Sequence, residues 1–197
     1  MTALSDLKRK LRPGQVYRRA DLARWSKSVD RHLRQLVEEG RLVKVSAGLY
    51  RTPRKTRFGD APAAPDKLVE RFLKDDRFLM VSPNAYNGLG VGATQLYNET
   101  IVYNAKRHGR HELDGRKYDF RQKPWFPTRV TPEFLLVDLV DNLGRLAEDQ
   151  DALASRAKER ARQMDRQALK KAVRDYGGQR AKRLLGPVLA DDAHAVA

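Results

Sequence analysis

Two groups of side chains in this sequence have the types and spacing to do chemistry. The first surrounds an apolar stripe in which Val29, Leu33, Leu36 and Val37 recur at i, i+4, i+7 and i+8. The opposite side of that stretch carries Lys27, Ser28, Asp30, Arg31, Arg34, Gln35 and Glu38. Arg makes paired hydrogen bonds to guanine in the major groove and Gln does the same with adenine, whereas Lys and Ser at a helix start more often hold phosphates. Ser28 and Arg31, nearest the helix start, are expected closest to the bases. The segment that follows adds Arg41, Lys44 and Arg51, then Arg54, Lys55 and Arg57. The expected duplex contacts are therefore Lys27, Ser28, Arg31, Arg34, Gln35, Lys44, Arg51, Arg54, Lys55 and Arg57.

The second group is His108, His111, Glu112, Asp114, Lys117 and Asp119, all within twelve positions. A metal-dependent nuclease can be built from such residues on a hairpin. Here Glu112 and Asp114 share one strand face, Lys117 lies across a turn, and no second acidic strand stands upstream. Asp114-Gly115 is accounted for by the turn itself. The run Gly88-Leu89-Gly90-Val91-Gly92 lacks the Lys-Ser/Thr of a nucleotide loop. No Ser and His with a placed acid can be argued. The expectation is a protein that is not an enzyme, with no catalytic residue, metal or cofactor, and a nuclease or RNA-directed protein using the 108–119 hairpin as the lesser alternative.

Charge supports the first group. The 197 residues hold 40 Lys and Arg against 25 Asp and Glu, a formal net charge of +15, so an anionic partner is the first to test. Residues 1–60 carry 16 basic and 6 acidic residues, 61–150 carry 13 of each, and 151–183 carry 11 and 4. Two basic blocks flank a neutral middle. No run of about 18 apolar residues and no basic-then-apolar leader occurs, so no membrane role and a cytoplasmic location are expected. Without cysteine, packing alone must hold the fold.

The elements that must position these side chains follow from periodicity and punctuation. Leu4, Leu7 and Leu11 give a short amphipathic helix ended by Arg12-Pro13-Gly14. Gln15-Val16-Tyr17 is β-like, Arg19 to Trp25, with Leu22, Ala23 and Trp25, suggests one or two further helical turns, and Ser26 and Ser28 are candidate caps for the helix from Val29, which Gly40 stops. Leu42, Val43, Val45, then Ala47-Gly48, then Leu49 and Tyr50 form a hairpin pattern. Helix, helix, turn, helix and hairpin is the order of a winged helix, whose third helix enters the major groove. Tyr17, Trp25 and Tyr50 sit beside apolar positions and are expected to pack, not to stack on bases.

The Pro- and Gly-rich stretch beyond Thr52 reads as a linker. Past it come a helix from Asp66 to Leu73, a strand from Phe78 to Val81, a helical Asn84 to Leu89 and a strand from Thr100 to Tyr103. A hairpin about Asp114-Gly115 follows, then a helix capped by Thr131-Pro132-Glu133. Asp151 to Tyr176 reads as one charged helical region, followed by a short helix from Arg180 to Leu189. The predicted fold class is α+β: an N-terminal winged helix-turn-helix over 1–58, a linker over 59–65, a mixed α/β domain with a helical C-terminal end over 66–190, and a tail over 191–197.

Leu36-Val37-Glu38-Glu39-Gly40-Arg41-Leu42-Val43-Lys44-Val45 and Gly48-Leu49-Tyr50-Arg51-Thr52-Pro53, running on to Phe58-Gly59, resemble the AbiEi-type antitoxin and transcriptional-regulator family of bacterial type IV toxin-antitoxin systems. Ser82-Pro83-Asn84-Ala85-Tyr86-Asn87, Gly88-Leu89-Gly90 and the late Asp175-Tyr176-Gly177-Gly178 with Leu184-Leu185 are similar to later parts of that family. The resemblance implies a repressor that binds double-stranded DNA at its own promoter and a second domain that counters a nucleotidyltransferase-like toxin, with or without direct contact. It also implies that Arg156, Arg160, Lys170 and Lys171 are available to an acidic or RNA-bearing partner. An orphan regulator without a toxin is the alternative.

Overall fold

The structure is a computed structural model and describes residues 2–190. The expected tail, 191–197, lies outside the described residues. The chain is α+β with a helical C-terminal end and divides into two units: 1–77 with 110–118, and 78–109 with 119–197.

In the first unit Thr2 caps α1 (Ala3–Lys10), its hydroxyl accepting from the Ser5 N–H at 3.3 Å. β1 (Val16–Arg18), α2 (Arg19–Ala23), α3 (Val29–Glu38), β2 (Val43–Ser46) and β3 (Leu49–Arg51) follow, and the strands pair antiparallel in the order β1-β3-β2. Leu7, Leu22, Val29, Leu33, Leu36 and Leu42 form the core, with Tyr17, Trp25 and Tyr50 half-buried against it. Gly40 ends α3 with φ +66°, and the Arg41 and Leu42 N–H groups close on the Leu36 carbonyl at 2.9 and 3.0 Å.

One member of the expected stripe is wrong. Val37 is 37% exposed, and His32 takes the buried place. At about 100° per residue, Val29, Leu33 and Leu36 set a stripe axis from which His32 lies nearer than Val37. The Ser26 hydroxyl makes this tolerable: it is hydrogen-bonded to His32 Nδ1 at 2.7 Å, so Ser26 serves the core instead of capping the helix.

The expected linker is also largely structured. β4 (Arg54–Thr56) and β5 (Gly59–Ala61) form a hairpin, and α4 (Pro65–Leu73) begins with its proline at the first helical position. Only 62–64 remain between them. The hairpin has no apolar alternation, since its strands are almost wholly exposed, and so periodicity could not reveal it. The boundary accordingly falls after Arg77, not between 58 and 66, and residues 110–118 return to the first unit. Those residues contain the Asp114-Gly115 turn, with φ of +51° and +74° as a two-residue hairpin turn of this type requires.

In the second unit β6 (Phe78–Val81) pairs antiparallel with β7 (Glu99–Asn104). β8 (Gly109–Leu113) and β9 (Arg116–Gln122), with their turn, contain the residues 110–118 that belong to the first unit, and the strand order is β6-β7-β9-β8. Thr131 caps α5 (Pro132–Asn142) as expected, its hydroxyl accepting from the Phe134 N–H at 3.2 Å. The expected single helix over 151–176 is two, α6 (Gln150–Arg162) and α7 (Arg166–Tyr176), because Asp165 caps a new start by accepting from the Ala168 N–H at 2.6 Å. α8 (Gln179–Ala190) closes the unit. No helix of the described residues is long and apolar enough to cross a membrane.

Candidate nucleic-acid interface

α3 presents a charged side because its buried positions are 29, 32, 33 and 36, leaving Asp30, Arg31, Arg34, Gln35 and Glu38 exposed. One of its acids, and the acid that follows it, are ion-paired from other helices. Asp30 is held by Arg19 of α2, with Nε to Oδ1 at 2.6 Å and Nη2 to Oδ2 at 2.5 Å. Glu39, just past the helix, is held by Lys8 of α1 at 2.7 Å, and by Arg41 at 3.6 Å. The Arg19 hydrogen bond keeps the Asp30 carboxyl below its ordinary range, and the Lys8 bond does the same for Glu39.

Both acids thus take their hydrogen-bonded cations from outside α3, and Arg34 adds a weaker attraction on Asp30 from within it. Among the described residues no carboxylate lies within ion-pair distance of Lys27, Arg31 or Arg34. Ser28 occupies the cap position, is exposed, and its hydroxyl makes no cap hydrogen bond. Gln35 is partly engaged, since Nε2 donates to Glu39 at 3.0 Å. Lys44 is exposed on β2, opposite Tyr50. Two shallow depressions flank the helix. One, of 490 Å³, has Arg24, Lys27, Ser28 and Arg31 in its wall; the other, of 470 Å³, has Arg34, Glu38, Lys44 and Tyr50. Arg24 was missed in the sequence because it precedes the periodic stripe, although its spacing of three from Lys27 is a weak signal.

Arg51 corrects the expected set. It is 8% exposed, with Nη1 2.7 Å from Asp60 and Nε 2.8 Å from Asp114. Burial works against its charge, and the hydrogen bonds to Asp114 and Asp60 outweigh that, so its pKa stands above the ordinary value. Asp114 also accepts from the Ala63 N–H at 3.0 Å, and Asp60 from the Arg54 N–H at 2.9 Å. Arg51 is therefore a brace inside the unit and is closed to phosphate. Arg54, Lys55 and Arg57 remain exposed on the β4–β5 hairpin.

The hairpin acids do not gather into a centre. Asp114 is engaged by Arg51, Asp119 by Arg121 at 2.7 Å, and the His111 ring lies against Phe72 at 4.9 Å between centres, tilted by 59°. Among the described residues no group of three His, Asp or Glu is placed to hold a metal.

The four cations expected on one surface of the second unit are divided. Arg156 and Arg160 belong to α6, Lys170 and Lys171 to α7. Arg156 lies over Gly92, where a Cβ would come within 2.2 Å of Nη1, and Lys171 pairs with Asp175 at 2.6 Å. A further arrangement had no counterpart in the sequence reading. Asp138 of α5, 2% exposed, accepts hydrogen bonds from the Tyr86 hydroxyl at 2.6 Å and from the Tyr103 hydroxyl. Burial pushes both phenols and the carboxyl upward, and both tyrosine hydroxyls are placed as donors to the carboxyl oxygens.

The crystal structure of the RV2827C protein from Mycobacterium tuberculosis is similar over 94% of this chain and 75% of its own, with a TM-score of 0.57 and 19% sequence identity. The likeness is one of fold. No family model matches the chain, and no curated protein matches it.

Proposed function

We propose that this chain is a sequence-specific double-stranded DNA-binding transcriptional regulator, acting at its own promoter, whose N-terminal unit works as a winged helix with α3 in the major groove. One observation carries this reading: Asp30 and Glu39 are paired with Arg19 and Lys8 from other helices, and Lys27, Arg31 and Arg34 stand exposed on and beside α3 with no carboxylate at ion-pair distance among the described residues. Two of the acids at α3, Asp30 and Glu39, are paired from other helices while Glu38 stays exposed, and Lys27, Arg31 and Arg34 keep this side net positive, which favours a polyanion.

The resemblance to AbiEi-type regulators extends the proposal: the second unit counters a nucleotidyltransferase-like toxin. Co-expression with a toxin encoded beside it, scored by growth, tests that part. The DNA reading is tested by titrating the full chain against a duplex from its own upstream region and a shuffled duplex. Tighter binding to the first, with log K falling by about 0.9 per phosphate contact as log salt rises, is the expected result. Equal binding to both, or a slope near zero, counts against it.

A further inference from the structure

Among the described residues Phe58 is the most exposed large apolar side chain, at 87%. Single exposed apolar residues are common and need no explanation by themselves. What distinguishes Phe58 is how it is held. It occupies the two-residue turn of the β4–β5 hairpin with Arg57, the strands pairing Arg54 with Ala61, Lys55 with Asp60 and Thr56 with Gly59. The turn is fixed by the Thr56 hydroxyl, which donates to the Gly59 carbonyl at 2.9 Å and accepts from the Phe58 N–H at 3.3 Å. Gly59, at φ +110°, supplies the backbone conformation that other residues rarely adopt. At the base, Asp60 joins the Arg54 N–H to the buried Arg51, which Asp114 grips from its other side. The Arg57 guanidinium lies 4.9 Å from the Phe58 ring centre.

A short hairpin braced at both ends therefore displays one exposed aromatic ring among Arg54, Lys55 and Arg57. We infer that this hairpin enters the minor groove of the duplex and that Phe58 wedges between two stacked base pairs, with the three cations on the flanking phosphates. The inference rests on the duplex-binding reading above. The minor groove, about 6 Å wide, excludes a helix but admits Arg side chains and a thin apolar wedge, so the hairpin and α3 make different demands on the duplex. The preferred site is a pyrimidine–purine step, which unstacks most readily. An anionic bilayer also attracts basic segments bearing an aromatic residue, but anchoring there needs a broad apolar face, and this hairpin offers one ring.

The test uses the full chain and a duplex selected by that chain from a random pool, with donor and acceptor dyes at the ends and 2-aminopurine placed in turn at each pyrimidine–purine step. Wild-type protein should shorten the end-to-end distance and brighten 2-aminopurine at one step. Phe58→Ala should abolish both and weaken binding roughly tenfold, while Phe58→Leu, which keeps an apolar wedge, retains the bend. Arg57→Ala should lower the salt slope by about one and leave the bend in place. Phe58→Ala that bends and unstacks the duplex as wild type does overturns the wedge while leaving α3 as the reader. Failure of the wild-type chain to bind any duplex overturns the wedge and the proposed function together. Phe58-dependent partition onto phosphatidylserine vesicles without unstacking assigns the hairpin to a bilayer and overturns the wedge.

Discussion

Arg19, the first residue of α2, clasps Asp30 in the first turn of α3 through both carboxylate oxygens. The pair is exposed, so its value to folding is small. Its effect on the field around α3 is larger, because an unpaired Asp30 would add an uncompensated negative charge beside Arg31 and Arg34, on the side of α3 proposed to meet DNA. Arg19→Ala should weaken duplex binding, and adding Asp30→Asn should restore it, with a non-additive change of at least about twofold, the low end for coupled neighbours. The depressed carboxyl pKa means that this pairing is intact above the ordinary carboxylate range and is lost only as pH falls through the lowered value. Affinities of the two single variants and the double variant at neutral pH check it; strictly additive losses would remove Asp30 from the argument.

Arg51 and Arg54 are three residues apart and should behave as opposites. Arg51→Ala leaves Asp114 buried without its cation and should destabilise the chain by about 3 kcal/mol, read from urea unfolding. Arg51→Lys should recover little, since an ammonium cannot bridge two carboxylates as a planar fork does. Arg54→Ala should leave the unfolding midpoint unchanged and lower DNA affinity for all sequences alike.

Arg31→Ala and Lys55→Ala separate reading from holding. The first should cost roughly 1–3 kcal/mol of discrimination and relax one operator position. The second should weaken binding evenly and reduce the salt slope by about one. Binding of a set of single-position operator variants distinguishes them, and identical profiles would displace Arg31 from the bases.

Asp175 should titrate at about 2, because hydrogen bonds from Arg174 and Lys171 favour its charged form. The depressed value makes the pairing complete above its ordinary pKa of 3.8 and lost as pH falls through about 2. Carboxyl chemical shifts in Lys171→Met with Arg174→Met should return the midpoint toward 3.8. An unchanged midpoint would release Lys171 to a partner.

Asp138→Ala should destabilise the chain by about 2–5 kcal/mol, as the Tyr86 and Tyr103 hydroxyls would be left buried without an acceptor. Asp138→Asn should cost less, keeping one acceptor oxygen. Urea unfolding of both variants, with DNA affinity unchanged, is the expected pair of results.

Local features were legible from spacing alone: the leucines of α1, the Val29, Leu33 and Leu36 stripe, Gly40 as a stop, Thr131 as a cap and Asp114-Gly115 as a turn. Each depends on neighbours within a few residues. The errors came from distance or exposure. Arg51 looked like one more surface cation because its partner Asp114 is 63 residues away. The β4–β5 hairpin has no buried face to impose alternation, and Asp138 lay hidden within a run of apolar residues whose periodicity it does not disturb.

The second grip on Arg51 has a consequence for synthesis. The carboxylate that completes the N-terminal unit lies on the returning segment 110–118, after 32 residues assigned to the other unit. A growing chain that has emerged only as far as Arg77 holds α1 to α4 and the whole basic surface but lacks Asp114. The hairpin bearing Phe58 is then tied by Asp60 alone. Translation must run past the exposed cations of α3 and the β4–β5 hairpin before Asp114 can close on Arg51, so a prematurely terminated product carries those cations without the brace.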